Sequence, residues 1–138
     1  MTGYSITKLY REQHARLREH AAKMAAAADP AEQRTLLAQF AGQVKMHLKA
    51  EDDSLYPRLL AHADGEVRNK AAELQRTMGL LAATFQAFYE KWIKPGAITA
   101  NVAAYGAELR AVVDALAKRM DMEDRELYDL AERALTAA

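Results

Sequence analysis

The sequence predicts an all-α protein, an antiparallel up-down-up-down four-helix bundle. Good helix formers dominate the composition, and only 3 of the 138 residues are proline. Four segments carry apolar residues at spacings of three and four, the periodicity of a helix buried along one face. The connections between segments are short, which makes consecutive helices antiparallel. We therefore expect residues 1–138 to form a single domain around one core.

The first two predicted helices meet at Asp29-Pro30. Aspartate is a favoured N-cap, and proline suits the first helical position because no helical bond is lost there. The buried stripe of the first helix consists of Ile6, Tyr10, His14, Leu17, Ala21 and Met24. The stripe of the second consists of Leu36, Phe40, Val44, His47, Glu51, Leu55 and Leu59.

The later boundaries are Asp64-Gly65 and Lys94-Pro95-Gly96, after which Thr99 is the expected N-cap of the fourth helix. The third stripe consists of Val67, Ala71, Leu74, Met78, Leu81, Phe85, Phe88 and Trp92. The fourth consists of Tyr105, Leu109, Val112, Leu116, Arg119, Glu123, Leu127 and Leu130. Four such stripes fit one central core.

Five polar side chains interrupt these stripes: His14, His47, Glu51, Arg119 and Glu123. Charged groups are rarely buried without partners, because their desolvation costs several kcal/mol per ion. All five lie toward the middle of their helices. We therefore expect them to converge at one level of the bundle, where they contact each other or a bound cation.

An internal repeat marks the same region. Residues 47–56 align with residues 119–128 in the frame x-x-x-x-E-D-x-x-L-Y, with His47 opposite Arg119. Two residues at i and i+4 on a core-facing stripe can ligate a common ion. The repeat therefore predicts a centre to which the second and fourth helices both contribute.

Three motifs resemble the hemerythrin-like (HHE cation-binding) domain, over essentially the whole chain. They are Glu12-Gln13-His14, His47-x-x-x-Glu51 followed by Leu55-Tyr56-Pro57, and Glu123-x-x-x-Leu127-Tyr128. The resemblance implies two irons between the helices, held by histidines from all four helices and bridged by two carboxylates. By position, His14, His47, Glu51 and Glu123 match ligands of that family.

Two ligand positions depart from the family, which has histidines where this chain has Met78 and Arg119. A thioether is a poor ligand for iron, and a guanidinium stays cationic and offers no lone pair. Between Glu51 and Glu123, Arg119 would supply the positive charge that iron supplies in the family. We expect an Arg119–Glu123–Glu51 cluster with the two histidines nearby; the alternative is an arginine that extends to the surface.

The two histidines, His14 and His47, have two interpretations. They are either core histidines hydrogen-bonded to Glu51 and Glu123, or ligands that hold a single cation together with those glutamates. With two ligands missing, we expect no bound cofactor, the alternative being iron at low occupancy.

Composition excludes several classes of function. The 19 basic and 19 acidic residues balance, so the basic excess of a nucleic-acid-binding module is missing. No apolar run approaches a membrane span in length, and the opening MTGYSITKLYREQ is too charged for a signal peptide. We expect a location in a bacterial-type cytoplasm.

The segment Ala115-Leu116-x-x-Arg119-x-x-x-Glu123-Asp124 is also similar, more weakly, to the fourth helix of bacterial anti-sigma regulators, four-helix bundles that act by binding a protein. The favoured hypothesis is a regulatory protein-interaction module with an iron-free centre, contacting another protein through Tyr89 or Trp92. The alternative is an iron-binding sensor of oxygen, nitric oxide or iron with an incomplete site. The missing ligands argue against a di-iron redox enzyme.

Overall fold

The computed structural model describes residues 3–135, with side chains from residue 5 onward. Helix α1 spans Gly3–Ala26. Helix α2 begins with Pro30–Ala50 and continues without a break through a π-helical turn, Glu51–Leu55, into Tyr56–Leu60. The repeat region of the second helix is therefore helical throughout, but it is not regular α-helix.

Helix α3 spans Gly65–Trp92, and a single turn, Ala97–Ala100, follows it. Helix α4 runs through Val102–Met122, a second π-helical turn at Glu123–Leu127, and Tyr128–Ala134. Across the described part of the chain, none of these helices is apolar over enough length to cross a bilayer.

Contacts between neighbouring helices pair rising residue numbers in one helix with falling numbers in the next. The pairs are Tyr10–Ala50 and His20–Leu36 for α1 and α2, Thr7–Glu132 and Arg18–Asp121 for α1 and α4, and Lys70–Glu126 and Lys91–Glu108 for α3 and α4. This order confirms the predicted antiparallel bundle.

Side-chain caps fix where the helices begin. Asp29 accepts a hydrogen bond from the backbone N–H of Glu32, as predicted for the start of α2. The predicted cap of the fourth helix, Thr99, is wrong: Asn101 accepts from the N–H of Ala104 at 3.1 Å instead. Thr99 lies within the short turn that follows Gly96, and the backbone leaves helical geometry only at Asn101.

A layer of buried polar side chains divides the apolar core into two parts. This polar layer consists of His14, His47, Glu51, Arg119 and Glu123. One part contains Leu17, Phe40, Phe85, Trp92 and Leu116, and the other contains Ile6, Leu55, Leu74, Leu127 and Ala131. Each part excludes water from one side of the layer, so the layer is enclosed along the bundle axis.

The burial pattern departs from the predicted stripe of the second helix at Leu36, whereas Trp92 is buried as its stripe predicts. Leu37 is fully buried whereas Leu36 is half-buried, because Leu37 continues the spacing of Phe40 and Val44. Trp92 is only 4% exposed and packs edge-on against Tyr105, with 5.4 Å between ring centroids.

The burial of Trp92 makes the prediction of a partner contact at this residue wrong, because its indole fills the end of the core. Tyr89 is half-buried and packs against the same cluster. The aromatic end of α3 therefore stabilises the bundle itself.

We predict that Asn101→Ala lowers the free energy of unfolding by about 1 kcal/mol, because the first turn of α4 loses its cap. Thr99→Ala, at an exposed position two residues away, is expected to change it by less than about 0.5 kcal/mol. Urea unfolding followed by circular dichroism measures both. Equal losses in the two variants would contradict the assignment of Asn101 as the cap.

Candidate metal centre

The two π turns coincide with the repeated frame. The backbone N–H of Tyr56 donates to the carbonyl of Glu51, and that of Tyr128 to the carbonyl of Glu123, each five residues back. A π turn holds more residues than an α turn and often occurs at functional sites. The extra residue shifts the following side chains around the axis, so that Leu55 and Tyr56, although consecutive, are both buried.

The histidines from α1 and α2 meet in the polar layer. His14 is 0% exposed and His47 is 4% exposed. Their Nε2 atoms lie 3.1 Å apart. Both Nε2 atoms point into the same space, where their lone pairs would repel each other. A proton or a metal cation between them would remove this repulsion.

Their outer ring nitrogens are held by side chains that the sequence analysis did not single out. Nδ1 of His14 lies 2.9 Å from Oδ1 of Asp124, and Nδ1 of His47 lies 2.5 Å from Oε1 of Gln13. Both partners are acceptors, so each histidine donates outward and directs Nε2 inward. Partners of this kind fix the ring orientation of metal-binding histidines.

The two carboxylate oxygens of Glu123 face different partners. Its Oε1 lies 3.0 Å from Nε2 of His14 and 3.9 Å from Nε2 of His47. Its Oε2 accepts a hydrogen bond from Nε of Arg119 at 3.3 Å. The side chain is only 2% exposed, so these groups take the place of water around its charge.

Arg119 is buried, at 6% exposure, so the surface alternative for this residue is wrong. Beyond Glu123, its guanidinium donates to the carbonyl of Leu74 at 2.6 Å and to Oγ1 of Thr77 at 2.7 Å, and it lies 3.5 Å from the hydroxyl of Tyr56. The predicted Arg119–Glu123 contact is present. The guanidinium is directed toward α3. Its other partners are therefore two residues of α3 and Tyr56, and not Glu51 as predicted.

Glu51 is instead held by Tyr128, whose hydroxyl donates to Oε2 at 2.7 Å. The same hydroxyl lies 3.1 Å from Nε2 of His14 and 3.4 Å from Nε2 of His47. Oε1 of Glu51 lies 3.3 Å from Nε2 of His47, yet it is buried and accepts no hydrogen bond of good geometry from any described residue. An orphaned carboxylate oxygen of this kind is costly unless a cation or proton meets it.

The electrostatics of the layer follow from burial and the two carboxylates. Burial alone would lower the pKa of His47, but the contacts with Glu123 and Glu51 and their negative charges raise it to about 9. Burial alone would raise the pKa of Glu123, but the contacts with His14 and His47 and the charge of Arg119 hold it down at about 2. In the metal-free centre, a proton on His47 therefore supplies positive charge.

Burial raises the pKa of Glu51, and the charge of Glu123 adds to this effect. Burial likewise raises the pKa values of Tyr56 and Tyr128, and the negative charges of Glu51 and Glu123 raise them further. The metal-free centre therefore favours neutral phenols and concentrates its negative charge on Glu123.

The donor atoms fit one metal ion. Nε2 of His14, Nε2 of His47 and Oε1 of Glu123 lie within 4.8 Å of one another. Metal–ligand bonds of about 2.1 Å that meet at right angles separate two ligand atoms by about 3 Å, close to several separations found here. Imidazole and carboxylate donors suit iron, zinc or manganese.

Two residues beside these donors differ from the histidines that the resemblance implies. Met78 and Arg119 stand where the resemblance implies histidines, and neither side chain can replace an imidazole. Met78 is 7% exposed and borders a cavity of about 20 Å³ beside His47, Arg119 and Glu123. The other residues that line this cavity are apolar, and they are Leu17, Phe40, Val44, Leu48, Leu116 and Met120.

Four contributors to the centre have polar partners that the sequence does not reveal. Asp124 and Asp52 occupy the same position of the repeated frame, but Asp52 is exposed, so the repeat does not distinguish them. Gln13 precedes His14 but contacts α2, which depends on the packing of two helices. The repeated tyrosines signal symmetric packing, whereas Tyr128 and Tyr56 contact different polar partners.

A comparison with known families matches residues 5–131 to the hemerythrin HHE cation-binding domain. No curated protein and no solved structure matches the chain significantly. The family match covers nearly the whole chain and includes every polar residue of the layer. On this basis the chain belongs to the hemerythrin HHE cation-binding domain family.

Proposed function

We propose that this domain is a regulatory module that binds one metal ion, in the half of the centre formed by His14, His47, Glu51 and Glu123. The observation that carries the proposal is the division of Glu123, with one oxygen 3.0 Å from His14 and the other 3.3 Å from Arg119. The guanidinium of Arg119 occupies one of the two cation positions beside Glu123. The second position lies beside His14 and His47 and can take a metal ion.

Arg119 limits the centre to a single ion. Its guanidinium already has four partners in the layer and lies where a second metal would need a lone pair. A second cation would meet a fixed positive charge at short range in a poorly solvated interior. Among the described residues, no lysine or arginine is bonded to His14, His47 or Glu51, which lie in the other half.

The matched family binds cations, and iron is the one that the resemblance implies. Nitrogen and oxygen donors suit iron. One iron exchanges one electron at a time, whereas a pair can exchange two, so a single ion suits sensing better than multi-electron catalysis. The chain itself restricts access of water, since the cavity beside His47 has room for about one water-sized molecule. A sensor of iron, oxygen or nitric oxide is consistent with this arrangement.

An iron-free regulatory module is the second candidate, and the pKa of His47 favours it. Raised to about 9, this pKa leaves a proton that can stand where the metal would otherwise supply charge. The similarity to anti-sigma regulators supports action through a protein partner in the cytoplasm. Because Arg119 and Glu123 of that motif are buried, the motif maintains the centre and a partner would contact other surfaces.

Iron retention distinguishes the two candidates. Loaded anaerobically with ferrous iron and desalted, the wild-type chain is expected to retain about one iron, because one half of the centre keeps its donors. His14→Gln should retain almost none. His20→Gln is the matched control, since His20 is also buried in α1 but bonds to the carbonyl of Leu36, away from the centre.

Retention of no iron by the wild type would favour the iron-free module, and two irons would contradict the role given to Arg119. The double variant Met78→His with Arg119→His tests the same role by gain of function. It is expected to retain about two irons, because both missing imidazoles are restored. Unchanged retention would show that the second position is misplaced.

We predict that Arg119→Ala lowers the free energy of unfolding of the metal-free protein by roughly 3–5 kcal/mol, because Glu123 is left buried without its partner. Arg125→Ala is the control on the same helix, where the arginine is exposed and, within residues 5–135, bonds only to the carbonyl of Asp121. Its expected change is below about 0.5 kcal/mol. Urea unfolding gives both values, and a loss under about 1 kcal/mol for Arg119→Ala would contradict the buried ion pair.

A further inference from the structure

The two tyrosines of the internal repeat face the two cation positions of the centre. The hydroxyl of Tyr56, from α2, lies 3.5 Å from the guanidinium of Arg119. The hydroxyl of Tyr128, from α4, lies 3.1 Å from Nε2 of His14 and 3.4 Å from Nε2 of His47. Tyr56 and Tyr128 occupy equivalent positions of the repeat. The hydroxyl of Tyr56 is directed at the guanidinium, and the hydroxyl of Tyr128 is directed at the space between the two histidines, where a metal ion would bind.

The oxygen of Tyr128 is also placed like a ligand atom. Its separations from the two imidazoles match those between His14 and His47, at 3.1 Å, and between His14 and Glu123, at 3.0 Å. The residue is 0% exposed, so no water competes with the phenol from bulk solvent.

One net negative charge of the centre is available to a metal ligand. The positive charge of Arg119 offsets one of the two buried carboxylates, Glu51 and Glu123, which leaves one net negative charge for a ferric ion with two neutral imidazoles. Transfer of the phenol proton of Tyr128 to Glu51 leaves this total unchanged, but it places the negative charge on an oxygen that lies beside both imidazoles. A bound cation also inverts the electrostatic preference of its ligands, so the neutral phenol favoured in the metal-free layer is no longer favoured beside iron.

We propose that Tyr128 is a ligand of the bound metal ion, its phenolate oxygen joining His14, His47 and Glu123. The phenol proton passes to Oε2 of Glu51, which already accepts that hydrogen bond at 2.7 Å. No electron is transferred in this step. The inference rests on the proposed single-ion site, and it assigns to one repeat tyrosine a role that its counterpart cannot take.

The test is the visible spectrum of the ferric protein. The wild type is loaded with ferrous iron without oxygen, desalted, oxidised with ferricyanide and desalted again, and iron per chain is counted beside the spectrum. A phenolate bound to ferric iron gives an intense charge-transfer band at visible wavelengths. We expect this band in the wild type and its loss in Tyr128→Phe with the iron still retained.

Tyr105→Phe is the matched control, because Tyr105 is also buried, its hydroxyl has no hydrogen-bond partner among the described residues, and it lies in the other part of the core. It should keep both iron and band. Tyr56→Phe is the competing arm, and loss of the band there with its survival in Tyr128→Phe would overturn the assignment. Wild-type protein that retains iron without the band would overturn it as well.

Two further outcomes are distinguishable. If the wild type retains no iron, the single-ion function fails and the ligand assignment fails with it. If Tyr128→Phe does not fold, resonance Raman spectra of the wild type decide the matter. Excitation within the band should enhance ring vibrations of a bound phenolate, shifted by ring-deuterated tyrosine, and their absence would overturn the assignment.

Discussion

The arrangement of the polar layer depends on one buried carboxylate, that of Glu123, because each of its two oxygens needs a positively charged or proton-donating partner. Glu123, in α4, is 2% exposed, and its oxygens face His14 of α1 and Arg119. Arg119 in turn is anchored to α3 through the carbonyl of Leu74. Because an unpaired buried charge costs several kcal/mol, this arrangement penalises any shift of these helices along one another. We infer that the layer specifies register at least as much as it adds stability.

Two consecutive residues of α1 support the two π turns. The hydroxyl of Tyr10 donates to the carbonyl of Ala50, at the start of the first turn, at 3.0 Å. Arg11 donates to the carbonyl of Asp124, within the second turn, at 2.9 Å. Backbone carbonyls in irregular helical turns need such partners, because a buried polar group without one is destabilising. Helix α1 therefore provides His14 and also stabilises the backbone that presents both glutamates.

The internal repeat has become chemically asymmetric. His47 and Arg119 occupy equivalent positions, yet the first presents a lone pair or a proton and the second a permanent charge. The asymmetry extends outward: Asp124 contacts His14 and also pairs with Arg18 at 3.0 Å, whereas its counterpart Asp52 is exposed. One half of the centre is closed by an organic cation, and the other keeps donors that a metal ion can use.

The sequence by itself determined the bundle, its antiparallel order, the first two helix boundaries and the five polar side chains that interrupt the apolar stripes. These follow from local signals, because helical periodicity and buried polar residues are properties of single segments. Only the tertiary structure decided which partner each polar group takes. The contacts of Arg119 with Leu74 and Thr77, of Asp124 with His14, and of Tyr128 with Glu51 join different helices. Their geometry depends on how the π turns rotate side chains and on the register between helices, which no single segment encodes.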